Sequence, residues 1–246
     1  MGRFNFVARV LLAAILAAGA VVAMACEVEP GLLEQGQTAA SDGRLGDAST
    51  AFSGAINEDP NNPDPYLARG DVYMQRGEPD RAVVDYGQYI RLSRSDATGY
   101  LKRGQAYLEL REYDKALLDL NEALKLDASL AAAYVGRAKA YLAVDRPEQA
   151  LSDLDRATTL TNRSAEVYAL RAKAHLALGA VQQALRDANE SVTMDGSLAL
   201  AFAARAAVYA ASGNDARMRE DYAKALDLGY PRSDLDAEIR AAQNQD

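Results

Sequence analysis

From Glu29 to Arg232 the chain repeats itself every 34 residues without a gap, in six copies that begin at Glu29, Pro63, Ala97, Ala131, Ala165 and Ala199. A sustained period of that length constrains the fold more than composition does. Each copy must be one supersecondary unit that buries its apolar face against its neighbours. One column of large side chains runs Leu32, Tyr66, Tyr100, Tyr134, Tyr168, Phe202, and a second, seven residues on, runs Ala39, Tyr73, Tyr107, Tyr141, His175, Tyr209. Between them stands a small column, Gly36, Gly70, Gly104, Ala138, Ala172, Ala206. The second half of each copy carries Ala48, Ala82, Ala116, Ala150 and Ala184, interrupted by Met218.

These offsets predict paired helices. Tyr66, Gly70 and Tyr73 stand at i, i+4 and i+7, one face of an α-helix, and Ala82 with Tyr86 begins the same pattern on a second. Gly or Ala in the small columns lets two backbones approach, while the rings fill the space between hairpins. Gly43, Gly77, Gly179 and Gly213 fall between paired helices, Pro79 and Pro147 at helix starts, and Asp59-Pro60 between the first two copies. No stretch shows strand alternation.

The pattern resembles the tetratricopeptide repeat (TPR) family, best seen in the runs from Tyr66 to Tyr73 and from Tyr100 to Tyr107, the latter followed by Ala116 to Leu126. The resemblance implies an all-α fold, a right-handed α-solenoid of six helix-turn-helix hairpins over 29–62, 63–96, 97–130, 131–164, 165–198 and 199–232. Leu235, Ile239 and Ala242 at i, i+4, i+7 mark 233–246 as a C-terminal capping helix and tail.

The start of the chain reads as an address. Arg3 and Arg9 precede an apolar run of 16 residues, Val10 to Ala25, and then Cys26, so 1–25 is expected to be a signal peptide and 26–28 a lipid-anchor linker. Sixteen residues span roughly 24 Å as a helix, short of the ~30 Å hydrocarbon core. The one Cys of the chain stands right after Ala25, an arrangement that resembles a bacterial lipobox and marks Cys26 for lipidation. Simple secretion and an uncleaved single transmembrane anchor are the alternatives. All three place the chain outside the cytoplasm, and two of them tether it to a membrane. The full chain has 27 basic against 35 acidic residues, a net charge of −8, and losing Arg3 and Arg9 would make it −10. Such a surface repels phosphate backbones, so nucleic acid is not an expected partner.

Two charged columns also keep the period. Arg69, Arg103, Arg137, Arg171 and Arg205 are each followed 16 residues later by Asp85, Asp119, Asp153, Asp187 and Asp221, and the first copy lacks both, with Gln35 and Ala51. Joint absence predicts pairing within a repeat, bridging its two helices. His175, the single His, occupies a Tyr column and is expected to pack between helices. With one Cys and one His a zinc site is not expected, and no nucleophile elbow, phosphate loop or dinucleotide fingerprint occurs. The sequence therefore predicts no catalytic or metal residues, no cofactor, no small-molecule substrate and no enzymatic activity.

Repeat register, taken from the TPR resemblance, implies a concave groove. Its aliphatic rows are Leu67, Leu101, Val135, Ala169 and Met74, Leu108, Leu142, Leu176, with Asp71, Gln105, Lys139 and Lys173 between them. The Asn residues of the family's clamp for acidic peptide C-termini are absent from these positions, and an apolar groove suits a peptide or amphipathic helix with Leu-like anchors. The expected function is a non-catalytic scaffold or adaptor holding another envelope protein at the extracytoplasmic membrane surface. A self-associating structural envelope protein is the alternative.

Overall fold

The computed structural model describes residues 31–161 and 163–244. Thirteen helices and no strand occur among the described residues. The expected signal segment, Cys26 and the linker lie outside them, and no described helix is long and apolar enough to cross a membrane.

Twelve helices form six hairpins. The first helices of the pairs are α1 (Leu32–Ser41), α3 (Asp64–Gln75), α5 (Ala97–Glu109), α7 (Ala131–Ala143), α9 (Ala165–Ala177) and α11 (Ala199–Ala211). Their partners are α2 (Leu45–Glu58), α4 (Pro79–Leu92), α6 (Tyr113–Leu126), α8 (Pro147–Leu160), α10 (Val181–Met194) and α12 (Asp215–Asp227), and α13 (Arg232–Gln243) follows. Each first helix packs on its partner, each partner on the next first helix, and successive first helices on each other, so the chain is an all-α repeat solenoid.

Close approach comes from the small columns. Ala48, Ala82, Ala116, Ala150 and Ala184 are fully buried, and the residues facing the Gly column, Phe52, Tyr86 and Leu120, are buried with them. A Cβ on Gly70 would stand 2.5 Å from a ring carbon of Tyr86, so the Tyr fits only because the opposite helix has no side chain there. Gly faces a large residue in three copies, whereas Ala138 faces Leu154 and Ala172 packs with Ala188, all four buried.

Two turn types alternate. Within each hairpin the first helix ends in a paired hydrogen-bond turn, as where Glu78 N donates to Tyr73 O at 2.8 Å and Gly77 N to Met74 O at 3.0 Å. The residue after the cap is left-handed in every copy: Gly43, Gly77, Gly179 and Gly213, with Arg111 (φ 58°) and Asp145 (φ 56°) in the other two. Between hairpins the chain leaves in a different conformation. Asp59, Asp127, Thr161 and Asp195 end their helices extended, and Ser93 sits close by at φ −130°, ψ 62°.

At the sixth copy that second turn is replaced. The residue 34 positions after Asp195 is Gly229, with φ 91°, and Tyr230 N donates to Ala225 O at 2.9 Å while Gly229 N donates to Leu226 O at 2.9 Å. This is the turn used inside hairpins, so α13 is not carried on as the next first helix of the array. It packs chiefly on α11, and it closes the array from the concave side rather than extending its end.

Candidate functional site

The Arg and Asp columns meet inside each of the second to sixth repeats. Arg69 donates from Nε to Asp85 Oδ2 at 2.8 Å and from Nη2 to Asp85 Oδ1 at 2.7 Å. The same two-pronged contact joins Arg103 to Asp119, Arg137 to Asp153, Arg171 to Asp187 and Arg205 to Asp221, all at 2.6–2.9 Å. The five carboxylates are buried. Hydrogen bonding to the Asp pushes each guanidinium further above its ordinary value, against the opposing effect of burial.

Four of the five Arg also reach back one repeat. Nη1 of Arg69 donates to Ser53 Oγ, of Arg137 to Asn121 Oδ1, of Arg171 to Asp155 Oδ1 and of Arg205 to Asn189 Oδ1, at 2.6–3.3 Å. Arg103 faces Gly87 there and makes no such bond. The column therefore ties both the two helices of a repeat and adjacent repeats, with its cations consumed by that task. His175 joins it, its Nε2 3.7 Å from Asp187 Oδ2.

A cavity of about 870 Å³ opens between α5, α7, α9, α11 and α13. Of the groove residues read from register, Leu108, Lys139, Leu142, Lys173 and Leu176 line it, whereas Leu67, Asp71, Met74, Leu101, Gln105 and Val135 lie outside it. Among the latter, Leu67 and Met74 pack half-buried beside Tyr73 and Tyr86, and Leu101 and Val135 beside their own repeats' cores. Asp71 accepts from Tyr86 Oη at 2.7 Å and pairs with Lys102 at 3.0 Å, so it ties helices together.

The groove is not open along its length. Helix α13 fills its C-terminal end, and Leu176 is buried in one cluster with Leu235, Ile239 and Ala242. The floor beneath that helix is made of small residues, because the groove columns of the sixth repeat are Ala203, Ala207 and Ala210. Lys173 Nζ donates to Glu238 Oε1 at 2.7 Å, Tyr230 Oη donates to the same oxygen at 2.7 Å, and Arg111 Nη2 lies 3.1 Å from Asp234 Oδ2. Burial, together with the neighbouring Glu238 charge, pushes the Tyr230 hydroxyl up. Lys139 is engaged by Glu166 at 2.6 Å.

Arg111, Tyr230, Asp234 and Glu238 were not among the residues read from the sequence, and the signals that mark them are periodic departures. Arg111 stands where four of six copies have Gly, Gly229 stands where the connectors have Asp, Ser or Thr, and the groove columns turn to Ala in the last copy.

The geometry agrees with known families. A sequence profile described as TPR repeat matches residues 70–111, and one described as tetratricopeptide repeat matches 97–129. No curated protein matches the chain in sequence. Among solved structures, pilF of Pseudomonas aeruginosa superposes with a TM-score of 0.68 at 18% identity, over 85% of this chain and 95% of that one. A tetratricopeptide repeat protein of Parabacteroides merdae gives 0.65 at 20%, over 87% and 98%. YrrB, described as a TPR protein with an unusual peptide-binding site, gives 0.57 at 24%, over 79% and 100%. At these identities the likeness establishes the fold. Profiles and fold together support the TPR family, whose solenoids typically serve as non-catalytic scaffolds for protein–protein interaction.

Proposed function

We propose that the chain is an adaptor that holds a partner protein in its concave groove at the extracytoplasmic face of a membrane. The observation that carries this reading is the cavity lined by Leu108, Leu142, Lys139 and Lys173, aliphatic walls with charged side chains between them. A peptide-binding site in the structurally similar YrrB gives the same direction. The anchor rests on sequence alone: Arg3, Arg9, the apolar run to Ala25 and Cys26.

Affinity purification of the full chain from detergent-solubilised envelopes tests the groove. A partner retained by the native chain and lost from Leu108→Asp/Leu142→Asp, with helicity unchanged, supports it; retention by both contradicts it. Radiolabelled fatty acid incorporated by the native chain and absent from Cys26→Ala supports the anchor, and equal labelling contradicts it.

A further inference from the structure

The helix lodged in the groove is itself a specimen of what the groove accepts. Helix α13 presents Leu235, Ile239 and Ala242 to a floor of alanines and to Leu176, and carries Asp234 and Glu238 opposite Arg111 and Lys173. Its docking depends on charge placed by the solenoid as well as on apolar area. Lys173 is the groove cation of α9, and Arg111 occupies a left-handed position that a glycine fills in four copies. Glu238 is held through Oε1 alone, by Lys173 and Tyr230, while its shielded Oε2 makes no hydrogen bond.

The tether is short and directional. Only residues 228–231 separate α12 from α13, and the Gly229 turn aims the helix onto α11. A helix so tethered competes at an effective concentration in the ~mM range, which a free partner must exceed in affinity terms.

Building on the adaptor reading, we infer that the concave seat over α9 and α11 is a docking site for an acidic amphipathic helix of a partner protein, which binds by replacing the chain's own α13. The partner helix carries aliphatic residues at i and i+4 and carboxylates one position before and three after the first of them, in the manner of Asp234, Leu235, Glu238 and Ile239. It exchanges one set of contacts for another, so its net affinity reports how much better it satisfies Lys173, Arg111 and the alanine floor than α13 does.

The probe is a synthetic peptide spanning residues 230–244, titrated into the full chain in detergent micelles. The native chain is compared with Asp234→Lys/Glu238→Lys, which repels α13 from its seat while leaving the repeats intact by circular dichroism. The peptide is expected to bind the double variant roughly tenfold or more tighter than the native chain, and to lose part of that gain when Lys173→Ala is added. Equal binding to both chains, or none up to about 1 mM, overturns the inference. If the double variant loses repeat helicity, the native chain gives the answer by hydrogen exchange. Excess peptide should then speed exchange of the amides of 232–243, and unchanged exchange overturns it. A partner captured through Leu108 and Leu142 but indifferent to α13 leaves the adaptor reading standing and removes this one.

Discussion

Lys173 on α9 donates a 2.7 Å hydrogen bond to Glu238 on α13, joining the concave wall of the fifth repeat to the last helix of the chain across 65 positions of sequence. Both side chains are mostly shielded, 24% and 21% exposed, whereas Arg111, the second cation paired with α13, is 68% exposed. Exposed pairs contribute ~0–1 kcal/mol and shielded, hydrogen-bonded ones more. Lys173→Ala should therefore loosen α13 markedly and Arg111→Ala only slightly, read as protection of the amides of 232–243 in hydrogen exchange. Equal effects of the two substitutions would contradict this ranking.

Breaking one Arg–Asp bridge should cost far more than a surface ion pair. Arg137→Ala leaves the buried Asp153 carboxylate without its two-pronged partner, and a loss of about 3 kcal/mol is expected in chemical denaturation. The swap Arg137→Asp/Asp153→Arg should recover part of what either single change loses. No recovery would mean that the surrounding Asn121, Tyr134 and Tyr141 contacts carry the Arg.

Gly70→Ala should destabilise, although Ala favours a helix by ~1 kcal/mol. Its Cβ would meet the ring of Tyr86 at 2.5 Å, and the ring is held by the Asp71 bond. Overpacking of this kind costs ~1–3 kcal/mol, so a lower melting temperature is expected, and Gly70→Ala/Tyr86→Leu should restore it. A single variant that melts higher than the native chain would show that the helices separate freely there.

Asp145 holds a left-handed backbone at φ 56° in a column where most copies have Gly. Asp145→Gly relieves a cost of ~1 kcal/mol and adds chain entropy to the unfolded state, leaving a small net gain of roughly 0.5 kcal/mol. Thermal melts of Asp145→Gly beside Asp145→Ala check it, the order Gly above Ala being the expected outcome.

Acid should weaken two repeat connectors. Asp127 accepts from the Ser129 hydroxyl and backbone N–H, Asp195 does the same with Ser197, and these bonds hold both carboxyls below their ordinary value of 3.8. A carboxyl depressed in the folded state contributes stability that is present above 3.8 and is lost as pH falls through its lower folded value. Asp127→Asn/Asp195→Asn should flatten that acid limb of the melting-temperature profile, and an unchanged limb would place the acid sensitivity elsewhere.

The hairpins, the small-residue contacts and the pairing columns were legible in the sequence because each is a fixed offset repeated in five or six copies, as with Tyr66, Gly70 and Tyr73. The course of α13 was not, since Leu235, Ile239 and Ala242 give the helix a face without saying which surface covers it. That choice is made by Gly229, one residue that breaks the connector column, and by Ala203, Ala207 and Ala210, whose smallness reads as core packing until a helix is found on top of them. The backward reach of Arg137 to Asn121 was equally hidden, because the column Ser53, Gly87, Asn121, Asp155, Asn189 keeps a side-chain acceptor but no constant residue, and breaks at Gly87.

The concave groove competes with one other apolar feature: Val84 and Leu118, 34 residues apart on α4 and α6, are 62% and 72% exposed on the opposite side of their helices from the core. Site-specific photo-crosslinking in cells decides between the faces most directly, with a photoreactive residue at Lys139 in the groove or at Leu118 outside it. The adaptor account predicts a discrete cross-linked partner from position 139 and none from 118. A partner captured from 118 and not from 139 would contradict it.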